Sequence, residues 1–244
     1  MPRFSSGGKD PGYKATIHSI LSTVVITGAS SGIGRAVALA LAAPGATLHL
    51  IGRDPQRLDD MARDVSTKGA RAIVHQKDLA TEMPKIDAAD TLIHAAGTVK
   101  LGAVESASLA DLDAQYAINV RAPFALTQHL LPALIAAKGQ VVFINSGAGL
   151  NARAGWSQYA MTKFALRALA DALREEVKSK GVRVMTVYPG RTATPMQAEV
   201  HRQEGKTYDP SRFIQPEDVA TMIVQALALP RSAQVTEINI RHQE

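Results

Sequence analysis

The 244-residue sequence contains no cysteine. Disulfides, thiolate metal sites and thiol nucleophiles are therefore excluded, and a reducing compartment fits. No stretch is long and apolar enough to cross a membrane. The first eighteen residues, Met1 to His18, are polar and lack the apolar centre of a secretory signal. They read as a loose tail ahead of one domain over 19–244, and with no targeting segment the cytoplasm is the expected location. The chain also lacks a basic run. Its formal net charge of +5 comes from scattered residues such as Arg53, Arg57, Arg63, Lys68 and Arg71, a solvated surface rather than a nucleic-acid face. Internal repeats, low-complexity segments and a second domain are absent too. The length is ordinary for one α/β domain with a sizeable core.

What the chain does have is concentrated between Val24 and Leu41. Val24-Val25-Ile26 is a short β-branched apolar run, the pattern of a buried strand. Gly28, Gly32 and Gly34 punctuate the loop that follows, with Ser30, Ser31 and Ile33 between them. An alanine- and leucine-rich helix then runs to Pro44. Strand, glycine loop and helix in this order make a dinucleotide-binding turn. The free N–H groups and partial positive charge of a helix start suit a pyrophosphate, and glycines let the backbone approach it.

Strand and helix patterns alternate from there. Strands are expected at Val24–Thr27, Thr47–Ile51, Arg71–His75, Thr91–His94, Gln140–Asn145, Val182–Tyr188 and Val235–Ile240. Helices are expected at Gly34–Ala43, from Asp54-Pro55 to about Lys68, from Leu109 to about Leu134, at Ser157–Lys180 and at Pro216–Leu229. Such alternation implies an α/β fold, a doubly wound parallel sheet of about seven strands with helices on both faces. Between Asp78 and His94 there is room for little more than a turn of helix, so that flank of the sheet should be thin. Residues 191–213 combine weak apolar periodicity with many polar groups and read as a mobile lid over a substrate. Leu150, Trp156 and Met196 are candidate pocket residues.

Tyr159-Ala160-Met161-Thr162-Lys163 places a phenol and an ammonium on one helix face, one turn apart. A nearby ammonium favours the phenolate, so the expectation is a Tyr159 pKa well below its ordinary value of ~10. That would suit a general acid/base near neutrality. Ser146, at the end of the fifth expected strand, reaches the same pocket.

Thr27-Gly28-x-x-x-Gly32-x-Gly34, Asn119, Ser146, Tyr159, Lys163 and Pro189-Gly190, in this order from Leu21 to Ile240, resemble the short-chain dehydrogenase/reductase family. The resemblance implies a Rossmann-type fold and an oxidoreductase that moves hydride between a nicotinamide and a carbonyl or secondary alcohol carbon. It implies Tyr159 as the proton carrier and Ser146 as the group that polarises the carbonyl. Lys163 would hold the nicotinamide ribose and lower the tyrosine pKa, and Asn119 would hold a water linking that lysine to solvent. It further implies an adenine contact at Asp78 and Leu79, a close cofactor approach at Ala95, Ala96 and Gly97, and carboxamide contacts at Thr192 and Thr194. The family's two asparagines before that alanine-glycine pair are missing here, replaced in His94-Ala95-Ala96-Gly97. His94, at a buried strand end, reads as a hydrogen-bonded structural residue.

At the end of the second strand the family's ribose-binding acid is replaced by Gly52, followed by Arg53. A guanidinium can grip a 2′-phosphate with two parallel hydrogen bonds. NADP(H) is therefore favoured; NAD(H) is the alternative if Asp54 faces the ribose. The substrate expected is a small-molecule carbonyl or alcohol, and self-association as a homodimer or homotetramer follows from the resemblance. Two rivals stay open: a catalytically silent dinucleotide-binding sensor or scaffold, and an epimerase or dehydratase of nucleotide sugars, for which fewer than sixty residues after Gly190 leave little room.

Overall fold

A computed structural model of the protein describes residues 22–243. The tail expected over 1–18 lies outside the described residues, as do 19–21 and residue 244. Seven strands form one sheet: β1 (Thr23–Thr27), β2 (Thr47–Gly52), β3 (Arg71–Gln76), β4 (Thr91–His94), β5 (Gln140–Ile144), β6 (Arg183–Pro189) and β7 (Glu237–Ile240). Their order is β3-β2-β1-β4-β5-β6-β7, and every pair is parallel. The order reverses between β1 and β4, where an open α/β sheet leaves a crevice for a ligand.

Seven α-helices flank the sheet: α1 (Gly32–Leu41), α2 (Pro55–Thr67), α3 (Leu109–Tyr116), α4 (Ala122–Ala136), α5 (Ser157–Val177), α6 (Pro195–Gln203) and α7 (Pro216–Leu227). Alternation along the strands decides which face each residue serves. Val24, Ile26, Leu48, Leu50, Ile93 and Val142 face α1, α2 and α7, whose Val37, Leu41, Leu58, Met61, Val219 and Ile223 complete one core layer. Val25, Ile51, Leu92, Val141 and Phe143 face the other way, onto Leu126, Leu130 and Leu134 of α4 and Leu166, Leu173 and Val177 of α5.

Local chemistry accounts for the ends. Asp54 caps α2 by accepting from the Arg57 N–H, with Pro55 in the first turn. Gly181 closes the long α5 segment at φ +75°, a left-handed conformation glycine adopts at little cost. The chain from β3 to β4 carries no helix, as its length requires. That flank leaves His49 and His75 half-buried and hydrogen-bonded to each other at 2.9 Å. Two features depart from the expected pattern. The helix of 109–134 is interrupted by a π turn at Ala117–Arg121, and the segment 191–213, expected to be a mobile lid, contains the nine-residue helix α6, seated by buried Gln197, Val200 and His201.

Gly34 is tied to its place by packing rather than by φ. A Cβ there would collide with the Gly28 carbonyl, the contact that fits α1 against the end of β1. Gly45 has φ +86° and open space around it, so alanine there meets only backbone strain, ~1–2 kcal/mol. Gly34→Ala is expected to cost roughly 3 kcal/mol or more. Chemical denaturation of the two variants checks the order; equal losses would contradict it.

Candidate active site

The glycine turn comes first in the chain and lies at the base of the crevice. Gly28 has φ +66°, and a Cβ on it would sit 2.8 Å from the Ala96 backbone nitrogen. Gly32 has φ +52°, and a Cβ there would lie 3.0 Å from Thr194 Cγ2. The loop after β6 therefore reaches across to the turn after β1. Ser31 occupies the N-cap of α1 without a side-chain cap, and the first turn holds no acidic residue. By contrast α2, α3 and α6 are capped by Asp54, Ser108 and Thr194. The first N–H groups of α1 thus receive no side-chain cap and are left for an anionic group. The cradle fits a dinucleotide pyrophosphate. Ile33 is partly buried against the core.

Thr27 joins this turn to the end of β4. Its hydroxyl, buried in the sheet, accepts hydrogen bonds from the N–H groups of Ala95 and Ala96, both at 3.0 Å. Ala95, Ala96 and Gly97 are so held beside Gly28 without the asparagines the family carries there. His94 is structural as expected. It pairs with Thr127 Oγ1 at 2.8 Å and stacks on Phe143, and burial pushes its pKa down to about 3.

The candidate acid/base residues come together between β5 and α5. Asn145 Nδ2 donates to the Lys163 carbonyl at 3.1 Å, while its Oδ1 accepts from the Ser146 N–H at 2.9 Å. One carboxamide thereby locks the helix carrying Tyr159 and Lys163 to the strand end carrying Ser146. Gly149 is required beside it, since a Cβ there would press on Asn145 Oδ1 and sit 2.9 Å from the Lys163 carbonyl. The Ser146 hydroxyl accepts from the Ala148 N–H at 3.1 Å and lies near enough to the Tyr159 phenol to favour its ionised form slightly. Lys163 is 3% exposed, and its Nζ donates to the Ile144 carbonyl at 3.1 Å. That nitrogen lies 5.8 Å from the Tyr159 ring centroid.

Asn119 lies in the π turn, and its carboxamide is fully engaged. Oδ1 accepts from the Thr98 N–H at 2.9 Å; Nδ2 donates to the Thr98 carbonyl at 2.9 Å and to Thr162 Oγ1 at 3.0 Å. Thr162 in turn donates to the Tyr159 carbonyl at 2.8 Å. The side chain thus fastens the loop after β4 to α5. Gly97 sits at the centre of this arrangement: a Cβ on it would lie 3.3 Å from Asn119 Oδ1, 3.6 Å from Met196 Cε and 3.9 Å from Lys163 Nζ. Asn145 and Thr162 escaped the sequence reading. Asn145 immediately precedes Ser146 and Thr162 immediately precedes Lys163, and adjacency to a reactive residue is the signal each offered.

The electrostatics correct one expectation. Burial pushes the Tyr159 phenol up to about 12, against a smaller downward pull from the neighbouring Ser146 hydroxyl. Burial brings Lys163 down to about 8. Proximity on one helix face does not acidify the phenol here, because desolvation disfavours the charged form of both groups and the ammonium is aimed at the Ile144 carbonyl. Tyr159 is a protonated phenol throughout the neutral range.

On the adenosine side, Arg53 is exposed and forms no ion pair or hydrogen bond among the described residues. Asp54 is committed to capping α2 and to an ion pair with Arg57 at 3.3 Å. Ser30 Oγ lies 3.3 Å from the position a Cβ would take on Gly52. Asp78 closes the turn after β3, accepting from the Ala80 N–H at 3.0 Å. The Leu79 side chain belongs to the core layer under β1 and β2 rather than standing open for an adenine ring.

After β6, Pro189 and Gly190 lead into the lid; the Gly190 N–H donates to the Ile240 carbonyl at 2.8 Å. Thr192 is buried, its hydroxyl donating to the Gly190 carbonyl at 3.0 Å. The Thr194 hydroxyl caps α6, accepting from the Gln197 N–H and donating to the Thr192 carbonyl, both at 3.2 Å. That hydroxyl keeps one acceptor lone pair free. Trp156 and Met196 pack against the cluster of Tyr159, Val99 and Val200.

Comparison with known proteins agrees with this geometry. The family model described as short chain dehydrogenase matches residues 22–205. An uncharacterised short-chain type dehydrogenase/reductase of Sinorhizobium fredii is 36% identical over 228 residues, 88% of this chain and 89% of its own. Among solved structures, a short-chain dehydrogenase of Shigella flexneri complexed with NADP superposes with TM-score 0.79 at 29% identity, covering 89% of this chain and 95% of that one. A metagenomic short-chain oxidoreductase in complex with NADP gives TM-score 0.75 at 29% identity, covering 92% of this chain and 100% of its own.

A lysine whose pKa falls from 10.5 unfolded to about 8 folded leaves the unfolded chain binding more protons between those values, so stability rises with pH across that window. The stability difference between the wild-type protein and Lys163→Met is therefore expected to move in favour of wild type by roughly 1–2 kcal/mol between about pH 8 and 10. Urea titrations at several pH values measure this, and a flat difference would refute it. The raised Tyr159 pKa acts with the opposite sign, but only above about pH 10.

Proposed function

The chain belongs to the short-chain dehydrogenase/reductase family, oxidoreductases that act on CH–OH and C=O groups, and from that premise we propose that it reduces a small-molecule carbonyl with NADPH, Tyr159 serving as general acid. The observation that carries this reading is the buried phenol of Tyr159, close to Ser146 and Lys163 and beside a glycine-lined cradle. A phenol that stays protonated near pH 7 is a proton donor, which favours the reductive direction.

NADP(H), when bound, supplies or takes the hydride. The chain's own residues do the rest. The N–H groups opening α1 hold the pyrophosphate, and Lys163, once turned to the nicotinamide ribose, orients it. Ser146 donates a hydrogen bond to the substrate oxygen and holds the carbonyl at the phenol. Tyr159 passes its proton to that oxygen as the alkoxide forms. Asn119 keeps the loop of Gly97 and the helix of Lys163 in register. The lid over 191–213 excludes water.

NADP(H) is preferred because Arg53, directly after β2, is exposed and unpaired among the described residues and so free to grip a 2′-phosphate, while the neighbouring carboxylate of Asp54 is committed to its own helix. The NADP bound to the two structural neighbours supports this. Exposed Leu109, Tyr116, Phe124, Met161 and Phe164 on α3, α4 and α5 support self-association through those helices. Among the described residues no helix is long and apolar enough to cross a membrane, and we place the enzyme in the cytoplasm.

Tyr159→Phe is expected to lower kcat by roughly 100- to 10,000-fold with NADPH affinity unchanged, as read by steady-state kinetics and cofactor titration; full activity would end the proposal. Arg53→Ala is expected to raise the KM for NADPH on the order of 10-fold or more, leaving that for NADH unaltered. Equal changes with both cofactors would count against the phosphate contact.

A further inference from the structure

The wall around the reacting phenol has a definite chemistry. Tyr159 is buried with Val99 and Val200, and Leu101, Ala148, Trp156 and Met196 pack against these three. The wall draws on the loop after β4, the turn after β5, the start of α5 and the lid helix α6, the same elements that carry the reactive groups. Trp156 meets Tyr159 edge-on at 6.0 Å, and Met196 comes within 3.6 Å of where a Gly97 Cβ would be.

The polar side chains bordering this wall are already bound to protein groups. Gln203 Oε1 accepts from the Leu101 N–H at 2.8 Å, and its Nε2 donates to the Val99 carbonyl and to Glu199. Gln158 is held between Gln115 and the Ser108 carbonyl. The Arg191 guanidinium lies 6.0 Å from the Trp156 ring but is paired with Glu204 at 2.7 Å. Tyr208 donates to the Thr194 carbonyl. Carbon entering beside the phenol loses contact with water and gains apolar contacts. A hydroxyl entering there would give up its water against a wall of carbon, the bordering Gln203, Gln158, Arg191 and Tyr208 being already engaged with protein groups.

We infer that the substrate is apolar beyond its reacting carbonyl: an alicyclic, aromatic or alkyl ketone or aldehyde, not a sugar or other polyol. This rests on the reductase reading above and narrows it. The chain's single tryptophan is Trp156, so its fluorescence reports directly on occupancy of the wall, independently of turnover.

The test is a matched pair on the NADP⁺-loaded protein: cyclohexanone against the same ring ketone bearing five hydroxyls, inosose. Binding is followed by Trp156 fluorescence and by calorimetry, and NADPH consumption is measured separately with each compound. Cyclohexanone is expected to bind more tightly, by on the order of 10- to 100-fold or more. Equal or tighter binding of inosose, or no binding of cyclohexanone, overturns the inference. NADPH consumption with inosose alone overturns it while leaving the reductase reading standing. Cyclohexanone binding to wild-type protein without NADPH consumption by any carbonyl leaves the apolar pocket standing and removes the reductase reading instead.

Discussion

Parallel pairing in a common register is the constraint on which the site depends. Ile51, Thr27, His94, Phe143 and Thr186 stand side by side on β2, β1, β4, β5 and β6. Parallel strands all end at the same edge, so the first residues beyond this row share one crevice. Gly28, Ala95–Gly97 and Ser146 are within a few residues of it. A one-residue slip in β4 or β5 would turn its apolar side chains to the wrong core layer, so the packing of both layers fixes the placement of the reactive groups as well.

Loops cannot hold such a placement unaided, and a small set of buried polar side chains does so. Thr27 clasps the loop after β4, Asn145 ties α5 to β5, and Asn119 with Thr162 ties that loop to α5. Each joins segments that are distant in the chain and is hydrogen-bonded where it is buried, the condition under which burying a polar group does not destabilise. The same burial sets the protonation of the site. With water excluded from Tyr159 and Lys163, the charged form of each is less stable than in water: the phenol stays protonated, and the ammonium gives up its proton more readily.

Much of the architecture was legible in the residues. The β-branched runs, the Asp54-Pro55 start and the Gly181 stop are local signals, and the structure places all of them close to where they were read. The lid helix α6 was legible too, since Thr194-Pro195 is the same cap-and-proline start that marked α2, but its polar composition hid it. The π turn at Asn119 was not legible. It is a one-residue excess in a helical stretch, favoured by the fit of the Asn119 carboxamide against Thr98 and Thr162 rather than by any propensity of Ala117–Arg121.

By itself the sequence determined the order of strands and helices, the glycine turn and the spacing of Ser146, Tyr159 and Lys163. These depend on periodicity, capping and steric permission, all properties of neighbours along the chain. Tertiary structure decided the ionisation of Tyr159 and Lys163, the commitment of Asp54, Leu79 and Thr194 to structural partners, and the apolar wall joining Val99, Trp156 and Val200. Burial and hydrogen-bond saturation depend on segments far apart in the chain, and only folding brings those segments together.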